Sequence, residues 1–304
     1  MSEKHLVRKA FTDILLALAK EDSRLIALAT DSRGSVTLGD YALELPEQFV
    51  ECGIAEQNAV GIAAGLANAG LHPFVCSPAC FLAARSAEQV KVDVGYSHTN
   101  VKLMGVSGGV SYGALGTTHH STQDIAWMRT VPNLQVILPA DANQMTVLTR
   151  ALAESAEPAY VRMGRGAVPD VYGENPAFEI GKANRLRSGK GCAIIACGEM
   201  VYPALLAAEA LGVAMYDMHT IKPLDVEAVL EAAGYGRVLT VEEHVTAGGL
   251  GSAVAEVLCQ RRPVPMRIMG LPVDALYNGS GDEVKAHYGL TQAGIEAAAR
   301  ELMA

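Results

Sequence analysis

The sequence has no excess of basic residues: 24 Lys and Arg stand against 33 Asp and Glu, a net charge of −9. A chain of that sign carries no broad field for nucleic acid or for an anionic membrane surface, although local basic pockets for one phosphate remain open. Aromatic residues make up only 5%, too few for the stacking platforms that hold single strands. The six cysteines (Cys52, Cys76, Cys80, Cys192, Cys197 and Cys259) show no paired ligand spacing, so neither a zinc site nor a disulfide framework is expected. Buried free thiols in a reducing cytoplasm account for them better. Uninterrupted hydrophobic runs are missing too. The most apolar stretch, 59–84, is broken by Asn68, His72-Pro73 and Pro78 and reads as buried helix, strand and helix, not as a membrane span. The opening MSEKHLVRKAFTDILLALAKEDS is an amphipathic helix interrupted by Asp13 and Lys20, without the cleavage site of a signal peptide. No short-period repeat or low-complexity segment occurs.

What is present is half hydrophobic, 19% charged and 304 residues long, enough for two globular domains each with a core. Short apolar runs alternate with helical patterns. Strands are expected at 25–29, 73–76, 101–106, 134–138 and 159–162, and helices at 77–95, at 121–129 and from Asp141. A second set follows, with strands at 193–196, 213–216, 237–241 and 266–269 and helices starting near Val201, Asp225, Gly251 and Thr291. This alternation predicts an α/β fold: two domains with mostly parallel sheets flanked by helices. The Gly-, Pro- and Asp-rich stretch around 164–178 reads as a linker, giving domains at 1–165 and 179–304 joined by 166–178. Ligands of such sheets gather at the carboxyl ends of the strands, which puts Asp31, Ser77 and the loop after Val106 on one edge.

Two stretches concentrate chemistry. FVECGIAEQNAVGIAAGLANAG, 49–70, starts a small-residue helix at Glu56, with small or apolar residues at helical spacing that permit close packing, as at a domain or subunit seam. A first-turn carboxylate sits at the positive end of the helix dipole, which favours its ionised form, while burial favours the neutral acid. A first-turn glutamate is ordinarily a solvated surface group, but this one has small and apolar neighbours. SGGVSYGALGTTHHSTQD, 107–124, combines four glycines, which allow close backbone approach, with adjacent His119 and His120. Adjacent loop histidines point in different directions and no third ligand is evident, so a metal site is not favoured.

GIAEQNAVGIAAGLA resembles the signature of the pyrimidine-binding domain of transketolases and their thiamine-diphosphate relatives, and the resemblance extends over nearly the whole chain. It implies that Glu56 bonds a ring nitrogen of the aminopyrimidine and drives the tautomer that activates the cofactor. Gly113, Gly116, Thr118 and His119 match the family pattern G-x-x-G-x-T-H, whose histidine assists proton transfers at substrate oxygens; His120 is expected to be its neighbour in sequence only. Phe81 and Arg85, in CFLAARSAEQ, resemble the segment supplying the ring stacked on the aminopyrimidine, a role this assigns to Phe81. Asp31 matches the acidic residue near the active-site mouth and is expected on the cofactor side. YVRMGRG, with Arg162 and Arg165, resembles the segment whose arginine holds a substrate phosphate, and Arg162 is expected to fill that role. DMHTIKPLD and TVEEHVTAGGLGSAV resemble segments of the family's C-terminal domain. Their glycines suit turns before helices, although a Gly-rich helix start can also bind an anion.

Two positions depart from the pattern. Leu115 stands where many sugar-phosphate transketolases have an aspartate reading a donor hydroxyl, and Ser107 where they have a phosphate-binding histidine. Both are expected to line the substrate site. An apolar residue facing a sugar hydroxyl leaves it unpaired, at a cost on the order of 1–3 kcal/mol. The Gly-Asp-Gly and Asn that hold Mg²⁺ and the diphosphate in this superfamily are also missing: Gly39-Asp40 is followed by Tyr41, and Asn68 lies inside the Glu56 helix.

The resemblance therefore implies a split enzyme. This chain is expected to be the C-terminal subunit, and a separate N-terminal subunit to carry Mg²⁺ and the diphosphate, with two copies of each chain and a cytoplasmic location. The expected reaction moves a two-carbon ketol unit from a ketose, usually a phosphorylated one, to an aldehyde. Alternatives are a 2-oxoacid dehydrogenase beta subunit, a deoxyxylulose-phosphate-synthase-like protein, or a non-catalytic scaffold retaining the fold.

Overall fold

The structure is a computed structural model that describes residues 3–274 and 276–304. The chain begins with β1 (Lys4–Leu6), α1 (Val7–Ala19) and β2 (Leu25–Ala29), then α2 (Gly39–Glu44), β3 (Phe49–Glu51) and α3 (Glu56–Asn68). Next come β4 (His72–Pro78), α4 (Ala79–Arg85), α5 (Ala87–Gln89), β5 (Lys102–Val106) and α6 (Asp124–Thr130). This half closes with β6 (Gln135–Ile137), α7 (Ala142–Glu154), β7 (Ala159–Met163) and β8 (Ala167–Pro169). The second half holds β9 (Asn184–Arg187), β10 (Ala193–Ala196), α8 (Val201–Leu211), β11 (Ala214–Asp217), β12 (Thr220–Lys222) and α9 (Val226–Ala233). It ends with β13 (Val238–Val245), α10 (Leu250–Arg261), β14 (Met266–Leu271), α11 (Gly281–His287) and α12 (Gln292–Met303).

Two α/β layers result. The first sheet has the order β12-β6-β7-β5-β4-β2-β3, parallel except for β12; the second is β14-β13-β10-β11-β9, parallel except for β9. The wholly buried strands LIALA, KLMGV and AYVRM account for the continuous apolar runs in the sequence, since helices cover both faces of such a sheet. Pairing of Ala29 with Cys76 and of Ser77 with Gly105 brings the carboxyl ends of β2, β4 and β5 to one edge. Thr30 Oγ1 and Ser77 Oγ are 2.6 Å apart there. Asp31 and Ser107, which follow β2 and β5, both turn the chain with positive φ (57° and 60°).

The structure departs from the expectations in several places. The first helix starts at Val7, because Lys4–Leu6 pairs antiparallel with Ala167–Pro169, so the expected linker holds a strand; Met1 and Ser2 lie outside the described residues. The helix expected over 77–95 is broken at Ser86, whose hydroxyl bonds the Leu82 carbonyl, and resumes as α5 and a π-helical turn, Val90–Tyr96. β12 leaves the second half to extend the first sheet, with Thr220 opposite Ile137 and the Leu138 N–H donating to His219 O at 2.7 Å. The six cysteines are unpaired, and Cys259 is exposed, not buried as expected.

Candidate active site

Glu56 opens α3 with its side chain 4% exposed, held by Arg85 Nη1 at 3.0 and 3.1 Å from its two oxygens. A charge-assisted contact of this kind offsets the cost of burying the carboxylate. Arg85, at the end of α4, also lies over the Phe81 ring, its guanidinium carbon 3.9 Å from the centroid. Phe81 sits one turn before Arg85, so both point from the same face of α4. With Ile54, Ala55 and Gln57, the Glu56–Arg85 pair lines an open pocket of about 450 Å³.

Phe81 reaches the second stretch directly. Its ring meets His119 edge-on, with centroids 5.2 Å apart, and Tyr112 meets the other side of His119 at 5.4 Å. Thr118 Oγ1 lies 2.9 Å from His119 Nδ1, which fixes the ring's orientation. Beyond Tyr112, the Arg165 guanidinium stands 5.0 Å from the phenol ring centroid. A continuous run of contacts thus leads from Glu56 through Arg85, Phe81, His119 and Tyr112 to Arg165. His120 is turned away and buried, its Nε2–H donating to Gly113 O at 2.8 Å. It braces the loop.

The other expected site residues are placed differently. Asp31 is exposed at the end of β2, its N–H donating to Glu51 Oε1 at 2.7 Å. Leu115 projects into solvent, 56% exposed, on the 3₁₀ turn Gly113–Leu115. Ser107 is fully buried at the root of the loop, its hydroxyl without a hydrogen-bond partner among the described residues. Arg162 is buried in β7: Nη2 donates to Glu243 O at 2.6 Å, and Nε lies 3.5 Å from Asp124 Oδ2. It borders a small, partly open recess of about 20 Å³, lined also by Val7, Leu138 and Glu199, and not the face that carries Phe81 and His119. Arg162, expected at a substrate phosphate, thus has its guanidinium committed to the Glu243 carbonyl and Asp124 inside the protein. Arg165, two residues past the end of β7, is the arginine that reaches the open edge.

Arg8 joins it, a residue for which the sequence gives no local signal. Burial and then the positive charge of Arg165 push the Arg8 guanidinium below its ordinary pKa. Its Nη1 donates to Ser35 O at 2.5 Å, while its Nε is buried with no partner among the described residues. The positive charges of Arg8 and Arg165 thus act on each other at this edge.

In the second half, Glu242 settles what the Gly-rich turn binds. Its carboxylate accepts from Leu250 N and Gly251 N, at 2.7 and 2.8 Å, and so occupies the amino end of α10 itself. Burial raises its pKa to about 7.

Residues 3–171 match the family described as transketolase, pyrimidine binding domain, and residues 181–295 the one described as transketolase, C-terminal domain. An apulose-4-phosphate transketolase subunit of Phocaeicola vulgatus is 56% identical over 296 residues, covering 95% of this chain and 94% of that one. A 6-deoxy-6-sulfo-D-fructose transketolase subunit of a Clostridium strain is 37% identical, covering 99% and 95%. Among solved structures, a split gene transketolase described as an inactive beta4 tetramer superposes with a TM-score of 0.90 at 36% identity, over 98% of each chain.

Proposed function

The chain belongs to the transketolase family, and on that premise we propose that it is the C-terminal subunit of a split, thiamine-diphosphate-dependent transketolase acting on a ketose with an anionic end. The observation that carries this reading is the unbroken run of side chains from Glu56 through Arg85, Phe81, His119 and Tyr112 to Arg165. The two similar subunits are named for sugars bearing a phosphate and a sulfo group, which suits an Arg8–Arg165 pair.

A carboxylate beside an aromatic face fits an aminopyrimidine, and Glu56 with Phe81 supplies both. When bound, thiamine diphosphate supplies the nucleophilic carbon and the electron sink for breaking a ketose carbon–carbon bond. Glu56 shares a proton with the aminopyrimidine nitrogen, and Phe81 offers its ring for stacking. His119, fixed between Phe81 and Tyr112, moves a proton at a substrate oxygen. Arg8 and Arg165 bind the anionic end and so fix the distance from it to the reacting carbon. Mg²⁺ and the diphosphate belong, in this reading, to an N-terminal partner subunit, with two copies of each chain in the assembly. The exposed face of α3 supports that partner. Gly61 and Gly65 open onto free space there, and Ile54, next to the Glu56 pocket, is 75% exposed.

The test is to recover the tagged chain from its native cells under gentle conditions and assay the eluate for a second polypeptide, thiamine diphosphate and ketol transfer. All three together support the reading. Pyruvate-dependent CO₂ release instead of ketol transfer would assign the synthase-like chemistry, and a lone chain with neither cofactor nor activity would favour a scaffold. In the active complex, His119→Ala should lower kcat by about 10²-fold; a change of less than threefold would remove His119 from proton transfer. Arg165→Ala and Arg8→Ala should each raise KM for an anionic ketose by about 10–100-fold, the loss of a charged hydrogen bond. KM for the uncharged ketose should stay level. Equal changes in both constants would mean that these arginines shape the site without binding the anion.

A further inference from the structure

The loop that carries Tyr112 and His119 is closed at its neck by Gly109 and Ser121, whose N–H groups donate to each other's carbonyls at 3.0 and 2.8 Å. Both sides of that neck are hooked to β13, which lies between β14 and β10 in the sheet of the other half. The Val110 N–H donates to Glu243 Oε1 at 2.9 Å, and two residues along, the Val245 N–H donates to Thr122 O at 2.9 Å. A Cβ on Gly109 would lie 2.4 Å from the Glu243 carboxyl carbon and 2.5 Å from Arg162 Nη2, so only glycine lets the neck press this closely on the two charged groups. At the top of the loop, Gly113 meets the backbone of Gly279 and Gly281 in the same tight way.

We propose that Glu243 is a positioning residue: its carboxylate, by holding the Val110 N–H, sets the neck of the 109–121 loop so that His119 stays between Phe81 and Tyr112. The C-terminal half of the chain thereby acts on the site without contributing a side chain to it. The reason lies in the donor. A buried N–H with no acceptor costs more than the bond it lost, so removing the carboxylate makes the present neck geometry unfavourable and opens others. Glu243 faces Arg162, Glu199 and Lys285 as well, but the bond to Val110 needs only an oxygen acceptor, which glutamine retains.

For its kinetic half this inference rests on the proposed reaction; its structural half does not. Amide hydrogen exchange on the isolated chain should show residues 110–121 exchanging at least about tenfold faster in Glu243→Ala, with α3 unchanged, and E243Q close to the wild type. Should the alanine variant fail to fold, Glu243→Met fills the space without an acceptor and takes its place. In the assembled enzyme, E243A should lose at least about tenfold in kcat, with KM for the ketose nearly unchanged and glutamine restoring the rate. Unaltered exchange over 110–121 would overturn the inference. So would equal damage from alanine and glutamine, which would mean that the buried charge matters and not the acceptor. A complex without ketol transfer would count against the reaction alone, since the exchange experiment decides the clamp by itself.

Discussion

Glu56→Gln should reduce ketol transfer by the assembled enzyme by about 10²–10⁴-fold while leaving the chain folded, the range in which positioned acid–base groups act. The substitution keeps the volume of the side chain and one oxygen that Arg85 Nη1 can still reach, so the start of α3 loses a charge but neither its packing nor its partner. Arg85 is 45% exposed, and water screens its uncompensated charge, so the effect on stability should be small. Function is different. An amide cannot share a proton with a ring nitrogen as a carboxylate does, and among the described residues no other carboxylate lines the pocket formed by Ile54, Ala55, Glu56, Gln57 and Arg85. The measurement is kcat at saturating thiamine diphosphate and ketose, alongside a thermal melt of the same preparation. Full turnover with an unchanged melt would take Glu56 out of catalysis and with it the assignment of the Phe81 ring. A collapsed melt would instead make Glu56 a structural residue.

Much of this is legible in the chain itself, and the limits have physical causes. The α3 signature, the alternation of buried strands with helices and the loop at 107–124 are local patterns, and local patterns survive in sequence. The pairing of Arg8 with Arg165 does not, because 157 positions separate them (165 − 8) and only the fold brings their charges together. β12 is just as hidden: three residues, TIK, form a strand only because the second half docks against the edge at β6. The choice between Arg162 and Arg165 has a local answer that the motif alone obscures. A residue inside an all-buried strand between two covered faces points into the protein, whereas one just past the strand's carboxyl end points at the ligand edge. The breaks around Ser86 are concealed for a subtler reason, since a serine bonding back to the preceding turn leaves the apolar periodicity intact.

Arg162→Ala should destabilise the chain by about 3–5 kcal/mol, the usual result of removing one partner from a buried ion pair. Asp124 is 1% exposed; its Oδ2 accepts from Tyr160 OH at 2.6 Å and faces Arg162 Nε, while its Oδ1 has no hydrogen-bond partner among the described residues. With the guanidinium gone, this carboxylate keeps one hydrogen bond and no counter-charge. The Glu243 backbone carbonyl loses its donor at the same time, and Gly108 and Gly109 lose the side chain against which they pack. Burial works against the charged arginine, yet Asp124 and Glu243 around it hold its pKa above the ordinary value. In a chain of this size each kcal/mol moves the melting temperature by roughly 2–4 °C, so a fall of about 6–20 °C is expected. Arg165, half-buried at the open edge beside Tyr112, should shift it little when truncated. The two arginines, three residues apart in one motif, are thus separated by a melt and a KM: Arg162 acts on the first, Arg165 on the second. The reverse pattern, a stable Arg162→Ala chain with a raised KM for the anionic ketose, would return the anion subsite to Arg162. It would also mean that the seam between β7 and β13 opens when the ligand binds.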